Sequence, residues 1–209
     1  MQANWYFDFV SPFSYMQLSR IRQLQQRVHF HPIPIVLGFA LKAHHNIAPT
    51  EVPSKRAFAY RFILWQAEQA GIPLRFPPAH PFNPIPALRL LLAAGGGWDA
   101  IQMIFEHFWK QGLAGDKAEQ LAELGRRLGI ENVAGAINDP AVKGRLKQHT
   151  EQAIATGIFG VPTITVGKEH FWGNDATAMF EDWLQHPQRF ETETYRHLQH
   201  LPIGVGRSR

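Results

Sequence analysis

Residues 5–15 read WYFDFVSPFSY, and this stretch decides the fold. The apolar run before Ser11 predicts a buried strand over residues 4–10. Ser11 is a good N-cap and Pro12 is favoured at the first helical position, so a helix should follow. A helix N-terminus offers free N–H groups and a partial positive charge, which can stabilise an anion such as a thiolate. Simple capping is the other role open to Ser11, and these residues alone do not exclude it.

A second stretch, GVPT at residues 160–163, begins a predicted strand that runs to residue 166. Proline has no N–H to give to a strand ladder, so Pro162 belongs at the start of that strand. A cis bond there would leave the N–H and C=O of Val161 free to pair with an extended peptide ligand. A trans bond is the more frequent form, and both are open from the local sequence.

The chain between these two stretches has mainly helical patterning, so the element order is β-α-β, several helices, then β-β-α. This order predicts an α/β fold in which the two ends of the chain form one domain. That discontinuous domain should comprise residues 1–37 and 156–209, and residues 38–155 should form an all-helical insertion. Within the insertion, we expect residues 38–53 to be loop-like.

The 209-residue chain contains no cysteine. This composition excludes disulfides, zinc–thiolate sites and a thiol nucleophile supplied by the protein itself. The eleven histidines show no metal-binding spacing, so we expect no metal site.

The net charge is +4, but the basic residues are spread along the chain and no nucleic-acid motif is present. A mildly basic enzyme with anionic substrates is therefore a better interpretation than a nucleic-acid binder. No stretch approaches ~18 uncharged apolar residues, and the N-terminus lacks a signal-peptide pattern. We expect a cytoplasmic protein with neither nucleic acid nor a membrane as partner.

The two ends of the chain together resemble the thioredoxin superfamily, with Ser11 at the position of the active-site cysteine. More closely, the chain resembles the 2-hydroxychromene-2-carboxylate isomerase family, relatives of kappa-class glutathione transferases and DsbA-like proteins. The segments that carry this resemblance span most of the chain: WYFDFVSPFSY at 5–15, WQAEQAGIPLRFPP at 65–78, FWKQGLAGD at 108–116 and GIFGVPTITVGKEHFWGND at 157–175.

The resemblance implies a thioredoxin-like domain that binds glutathione along the sheet edge. The sulfur of glutathione would lie near Ser11, and its cysteine would pair with the backbone of Val161 before Pro162. The remaining contacts implied are Asn46 and Lys55 at the glycine carboxylate, and Asn174 and Asp175 at the γ-glutamyl end. Without the resemblance, Asn174 would be a plain N-cap and Lys55 a solvated side chain.

Four other residues could line a substrate pocket between the two parts of the fold: Asn83, Arg89, Trp65 and Trp109. Arg89 could bind a substrate carboxylate through two hydrogen bonds. Core packing explains both tryptophans equally well.

Three functions fit: a glutathione-dependent cis–trans isomerase of an aromatic keto acid, a kappa-type glutathione transferase, and a non-catalytic thiol-peptide binding module. The isomerase is favoured because GND at residues 173–175 stands where kappa relatives typically carry GSD. The implied partner is a small aromatic keto acid, and a homodimer is left open.

Overall fold

A computed structural model describes residues 1–198 and 200–205 of the chain. The predicted domain range 156–209 therefore includes positions, 199 and 206–209, that lie outside the described residues. The strands are β1 (Gln2–Phe7), β2 (His29–Pro34), β3 (Thr163–Val166) and β4 (Glu169–Trp172). The helices are α1 (Pro12–Leu24), α2 (Leu37–Ala43), α3 (Pro53–Gln69), α4 (Ile85–Ala93), α5 (Trp98–Trp109), α6 (Ala122–Arg127), α7 (Val133–Asn138), α8 (Pro140–Ala155), α9 (Ala176–Gln185) and α10 (Glu193–Leu198).

The four strands form one mixed sheet in the order β2-β1-β3-β4. Strand β1 is parallel to β2 and antiparallel to β3, with Trp5 opposite Ile164. Strand β4 is antiparallel to β3 and lies at the edge. The observed order agrees with the predicted β-α-β and β-β-α units, and helices α2 to α8 lie between them in sequence.

One hydrophobic cluster runs without a break from the sheet into the helices of the central segment. Phe9, just past β1, packs edge-on against Phe105 of α5 with ring centroids 4.7 Å apart. The fully buried Leu88 of α4 belongs to the same cluster. The helical segment therefore stabilises the end of β1, where the chain turns into α1.

The prediction that residues 38–53 are loop-like is wrong over its first part, because α2 occupies Leu37–Ala43. This helix has no side-chain cap of its own. Instead, the N–H of Leu37 donates to the carboxylate of Asp8 at 2.8 Å, so a distant acid stabilises the start of α2. None of the helices in the described ranges is long and apolar enough to span a membrane.

A fully buried glutamine, Gln17, joins β1, α1 and the start of α9. Its carbonyl oxygen accepts from the indole N–H of Trp5 at 2.8 Å. Its amide nitrogen donates to the hydroxyl of Thr177 at 2.8 Å and to the carbonyl of Gly173 at 3.1 Å. Every polar atom of this side chain thus has a partner, as burial requires.

We predict that Gln17→Leu lowers the free energy of unfolding by about 2–4 kcal/mol, because the buried Trp5 N–H loses the acceptor that Gln17 provides. Urea denaturation measures the loss. Gln26→Leu is the matched control, since Gln26 is exposed in the turn after α1. Equal, small losses in the two variants would contradict the structural role of Gln17.

Candidate active site

The start of α1 presents two hydrogen-bond donors that donate to no group among residues 1–198 and 200–205. Ser11 is the N-cap, and its Oγ accepts from the N–H of Ser14 at 3.2 Å. Its hydroxyl proton has no acceptor among the described residues and remains available. Pro12 has no N–H, and the N–H of Phe13 donates to no backbone group among the described residues. The Ser11 hydroxyl and the Phe13 N–H can therefore bind an anion at the positive end of the helix dipole.

Ser14 is a buried residue beside this helix start that the sequence reasoning did not single out. It lies three residues after Ser11, which is the spacing of a Cys-X-X-Cys motif. Ser14 is fully buried, and its Oγ has no hydrogen-bond partner in the described ranges. Two hydroxyls at this spacing cannot exchange disulfides, so the motif retains the geometry of a redox site without its chemistry.

Asp8 lies beneath the turn from β1 to α1 and is fully buried. One carboxylate oxygen accepts from the N–H of Val10 at 3.1 Å, and the other from Leu37 at 2.8 Å. Burial raises the pKa of the Asp8 carboxyl from its ordinary 3.8 to about 7, although these hydrogen bonds oppose the rise. Asp8 thus holds the loop before Ser11 in place; the sequence shows an acid within an aromatic run but not its partner Leu37, 29 residues away.

Trp109 belongs to the core, which corrects its assignment to a substrate pocket. Its side chain is fully buried, and its indole N–H donates to the carbonyl of Phe9 at 2.8 Å.

His80 makes a similar contact with the next residue of the turn, with Nε2 2.9 Å from the carbonyl oxygen of Val10. Sequence reasoning did not identify His80, because its partner lies 70 residues away.

The Val161–Pro162 peptide bond is cis, in agreement with the form considered from the sequence. Neither the N–H nor the C=O of Val161 pairs with another backbone group in residues 1–198 and 200–205. The carbonyl of Pro162 accepts from Gly173 at 2.9 Å, which fixes the segment that leads into α9. The backbone of Val161 therefore has pairing capacity to offer an extended ligand.

Gly160 is constrained by an exposed tryptophan on the edge strand. A Cβ at position 160 would lie 2.5 Å from the indole nitrogen of Trp172, so a larger residue would have to displace that indole. Trp172 is 55% exposed and packs edge-on against Phe159 at 4.9 Å. This close packing explains why glycine precedes Val161.

Asn174 and Asp175 lie at the start of α9. Asp175, rather than Asn174, is the N-cap, and its carboxylate accepts from the N–H of Ala176 at 3.2 Å. Both residues line a cleft of about 380 Å³ between α1, α3 and α9, together with Met16 and Gln66. The cleft runs along the same helix that begins at Ser11, so it can receive one end of a ligand bound there.

Asn46 and Lys55 lie on either side of the turn that connects α2 to α3. Both are exposed, and Lys55 is in the first turn of α3. Neither side chain makes a hydrogen bond or ion pair within the described part of the molecule. Both are accessible from solution, and their binding to a glycine carboxylate stays a prediction.

The other predicted substrate residues, unlike Trp109, are at least partly exposed. Asn83 is exposed and its side-chain oxygen accepts from the N–H of Ile85 at 3.2 Å. Arg89 is directed to the carbonyl of Ile137 at 3.5 Å, and its buried Nε has no partner in the described ranges. Trp65 is 53% exposed on α3, where it stacks on Phe62 at 6.0 Å.

No group of three or more His, Asp or Glu side chains that could hold a metal ion occurs among residues 1–198 and 200–205.

Comparisons with known proteins agree on one family. The model of the DSBA-like thioredoxin domain matches residues 3–185. The 2-hydroxychromene-2-carboxylate isomerase of Pseudomonas putida is 30% identical over 190 residues, covering 87% of this chain and 93% of that protein. Glutathione S-transferase kappa 2 of Caenorhabditis elegans is 26% identical over 208 residues, covering 88% and 92%.

A solved structure of 2-hydroxychromene-2-carboxylate isomerase superposes with a TM-score of 0.77 at 27% identity. The match covers 91% of this chain and 98% of that one. A putative protein disulfide isomerase from Nitrosomonas europaea has the same fold, with a TM-score of 0.64 at 18% identity, covering 88% and 98%. The predicted α/β thioredoxin-like fold with a helical insertion is therefore confirmed.

We predict that Asp8 makes the protein less stable as the pH rises from about 4 to about 8. Because the pKa of Asp8 is about 7 in the folded state and near 3.8 when exposed, folding favours its protonated form. Its contribution is complete below about pH 4, and on the order of 4 kcal/mol is lost progressively between about pH 4 and pH 7.

Urea denaturation of the wild type and Asp8→Asn across this pH range measures the effect. The difference in unfolding free energy, wild type minus variant, should fall as the pH rises. Asp99→Asn is the control, because the Asp99 side chain is 93% exposed. A difference that does not change with pH would contradict the prediction.

Proposed function

This chain belongs to the DSBA-like thioredoxin domain family, in the group of the 2-hydroxychromene-2-carboxylate isomerases, and on that basis we propose that it is a glutathione-dependent cis–trans isomerase. Its substrate would be 2-hydroxychromene-2-carboxylate, converted to trans-o-hydroxybenzylidenepyruvate, or a similar aromatic keto acid. The curated relatives are named as isomerases and as glutathione transferases, which supports an enzyme.

The observation that carries the proposal is an anion site without a cysteine. Within the described residues the Ser11 hydroxyl and the Phe13 N–H at the start of α1 donate to no other group, and the chain has no thiol of its own. A helix N-terminus with such donors lowers the pKa of a thiol placed there. An external thiol compound is therefore the ligand that the site suits.

The residues present fit glutathione. Val161 offers a peptide an N–H and a C=O that no backbone group in the described part of the chain pairs with, as a cysteinyl residue would require. Asp175 offers a carboxylate to the γ-glutamyl amine at the rim of the cleft along α1. Asn46 and Lys55 are exposed donors for the glycine carboxylate. These assignments supply one partner for each polar end of the tripeptide.

Bound glutathione would supply a thiolate that can add reversibly to a conjugated double bond and so permit rotation about it. The role of Ser11 is to donate a hydrogen bond to that thiolate and hold it in place; the serine itself does not attack. Charge that develops on the substrate carbonyl needs further donors. Asn83 and Arg89 stay our candidates for that role, since each has side-chain donor groups to offer.

A kappa-type glutathione transferase is the second candidate, supported by the 26% identical relative of that name. The two candidates differ in the fate of the thiol, because an isomerase regenerates glutathione and a transferase consumes it. A non-catalytic binding module would bind glutathione and do neither. The cytoplasm, where glutathione keeps thiols reduced, suits either enzyme.

We predict glutathione-dependent isomerisation of 2-hydroxychromene-2-carboxylate without loss of free thiol. The measurement follows the ultraviolet absorbance of the substrate with and without glutathione, while free thiol is titrated in parallel. Isomerisation at full speed without glutathione would exclude the proposed role of the thiol. Steady thiol loss with a stable adduct would instead identify a transferase.

We predict that Ser11→Ala raises the pKa of the bound glutathione thiol by about 1–2 units, because one charge-assisted hydrogen bond is lost. Thiolate absorbance of the complex against pH measures the shift. In the wild type the thiol should titrate well below ~8.5, its value in water. Loss of the cap should cost only ~1 kcal/mol of stability, so the fold should persist.

Thr192→Val is the matched control, because it also removes one hydroxyl and Thr192 is exposed before α10, outside the lining of the cleft along α1. An unshifted thiol in the wild type, or an equal pKa in the wild type and Ser11→Ala, would remove the support for this site.

A further inference from the structure

We propose that His80 is a positioning residue, whose imidazole holds the Val10–Ser11 peptide so that the donors at the start of α1 face the bound thiolate. The inference rests on the proposed function, because its effect is read on that thiolate. His80 lies in the connection between α3 and α4, within the helical insertion. It would thus make the insertion part of the site in the thioredoxin-like domain.

The geometry begins with one peptide plane. The carbonyl oxygen of Val10 lies 2.9 Å from Nε2 of His80. The N–H of Ser11 belongs to the same planar peptide and donates to the carbonyl of Asp8 at 3.1 Å. With both ends of the plane held, Ser11 is kept in the extended conformation (φ −91°, ψ 113°) from which its side chain caps α1.

The hydrogen bonds also assign the tautomer of His80. A carbonyl oxygen can only accept, so the ring proton must be on Nε2. Nδ1 lies 3.0 Å from the hydroxyl oxygen of Tyr60, whose proton is donated to the backbone carbonyl of His80 at 2.7 Å. Burial lowers the pKa of His80, and the charge of Arg56 adds to this, although the bond to Val10 opposes it; the neutral ring is therefore favoured.

Groups on the helical insertion fix the ring from several sides. The guanidinium of Arg56, on α3, donates to the backbone carbonyl of His80 at 2.6 Å and lies 5.1 Å above the ring of Tyr60. The ring of Trp109 lies 5.3 Å from the imidazole, and that of Phe76 lies 6.1 Å from it. Because the ring is held on several sides, its hydrogen bond can keep the Val10 carbonyl in a fixed position.

A purely structural role would be one of packing, and the two roles make different predictions. Packing requires an aromatic ring of this size, whereas positioning requires an N–H at the place of Nε2. His80→Phe retains the ring but removes the donor. His80→Gln loses the ring, but its amide nitrogen can donate to Val10 from nearly the same position.

The experiment measures the pKa of glutathione's thiol in its complex with each variant, from thiolate absorbance against pH. We expect His80→Phe to raise this pKa by about one unit, a tenfold loss of thiolate at a given pH below it, and His80→Gln to stay near the wild type. Equal shifts in both variants, or none in His80→Phe, would overturn the proposal.

A second measurement needs no glutathione. In NMR spectra of the free protein, the ring nitrogens of His80 should show a neutral ring with its proton on Nε2. The Val10 carbonyl carbon should shift in His80→Phe and much less in His80→Gln. A proton on Nδ1 in the neutral wild-type ring would refute the contact, even if His80→Phe did not fold.

The two measurements also separate this inference from the proposed function. If the wild type does not acidify the thiol of glutathione, the proposed function fails, and the NMR result still decides the contact between His80 and Val10. If the wild type acidifies the thiol but the variants behave alike, only the role of His80 fails.

Discussion

The turn from β1 to α1 has to satisfy backbone groups that the sheet no longer pairs, and the rest of the site depends on how it does so. Strand β1 ends at Phe7, yet Asp8 and Phe9 are fully buried. Buried carbonyl and N–H groups without partners are costly, so this segment must find them in other parts of the fold. The indole N–H of Trp109 donates to the carbonyl of Phe9, and Nε2 of His80 donates to the carbonyl of Val10.

This arrangement explains why a thioredoxin-like domain and a helical insertion act as one unit here. Asp8 bonds to Val10 in the turn and to Leu37 at the start of α2, so the same carboxylate orders both segments. The aromatic rings of β1 continue into α5 without a gap. A rigid turn leaves the hydroxyl of Ser11 and the N–H of Phe13 in fixed positions, as a preorganised anion site requires.

The absence of cysteine gives this geometry a chemical meaning. Ser11 and Ser14 have the spacing of a redox pair, but hydroxyls do not form disulfides, and a serine with no neighbouring base is a weak nucleophile. A hydroxyl is nevertheless a good donor to a thiolate. A site of this kind can therefore activate a thiol that arrives with a ligand, and the proposed isomerase chemistry needs no other reactive group from the chain.

The sequence by itself determined the order of the elements, Ser11 as the N-cap of α1 and the place of Pro162 before β3, because these depend on residues a few positions apart. It did not show whether Trp109 lies in the core or in a pocket, because an aromatic residue at that helical spacing is compatible with either place. Helix α2 and the roles of Asp8 and His80 were decided only by the tertiary structure. Their partners lie 29 residues from Asp8 and 70 from His80, and no local pattern encodes a hydrogen bond that folding alone brings within reach.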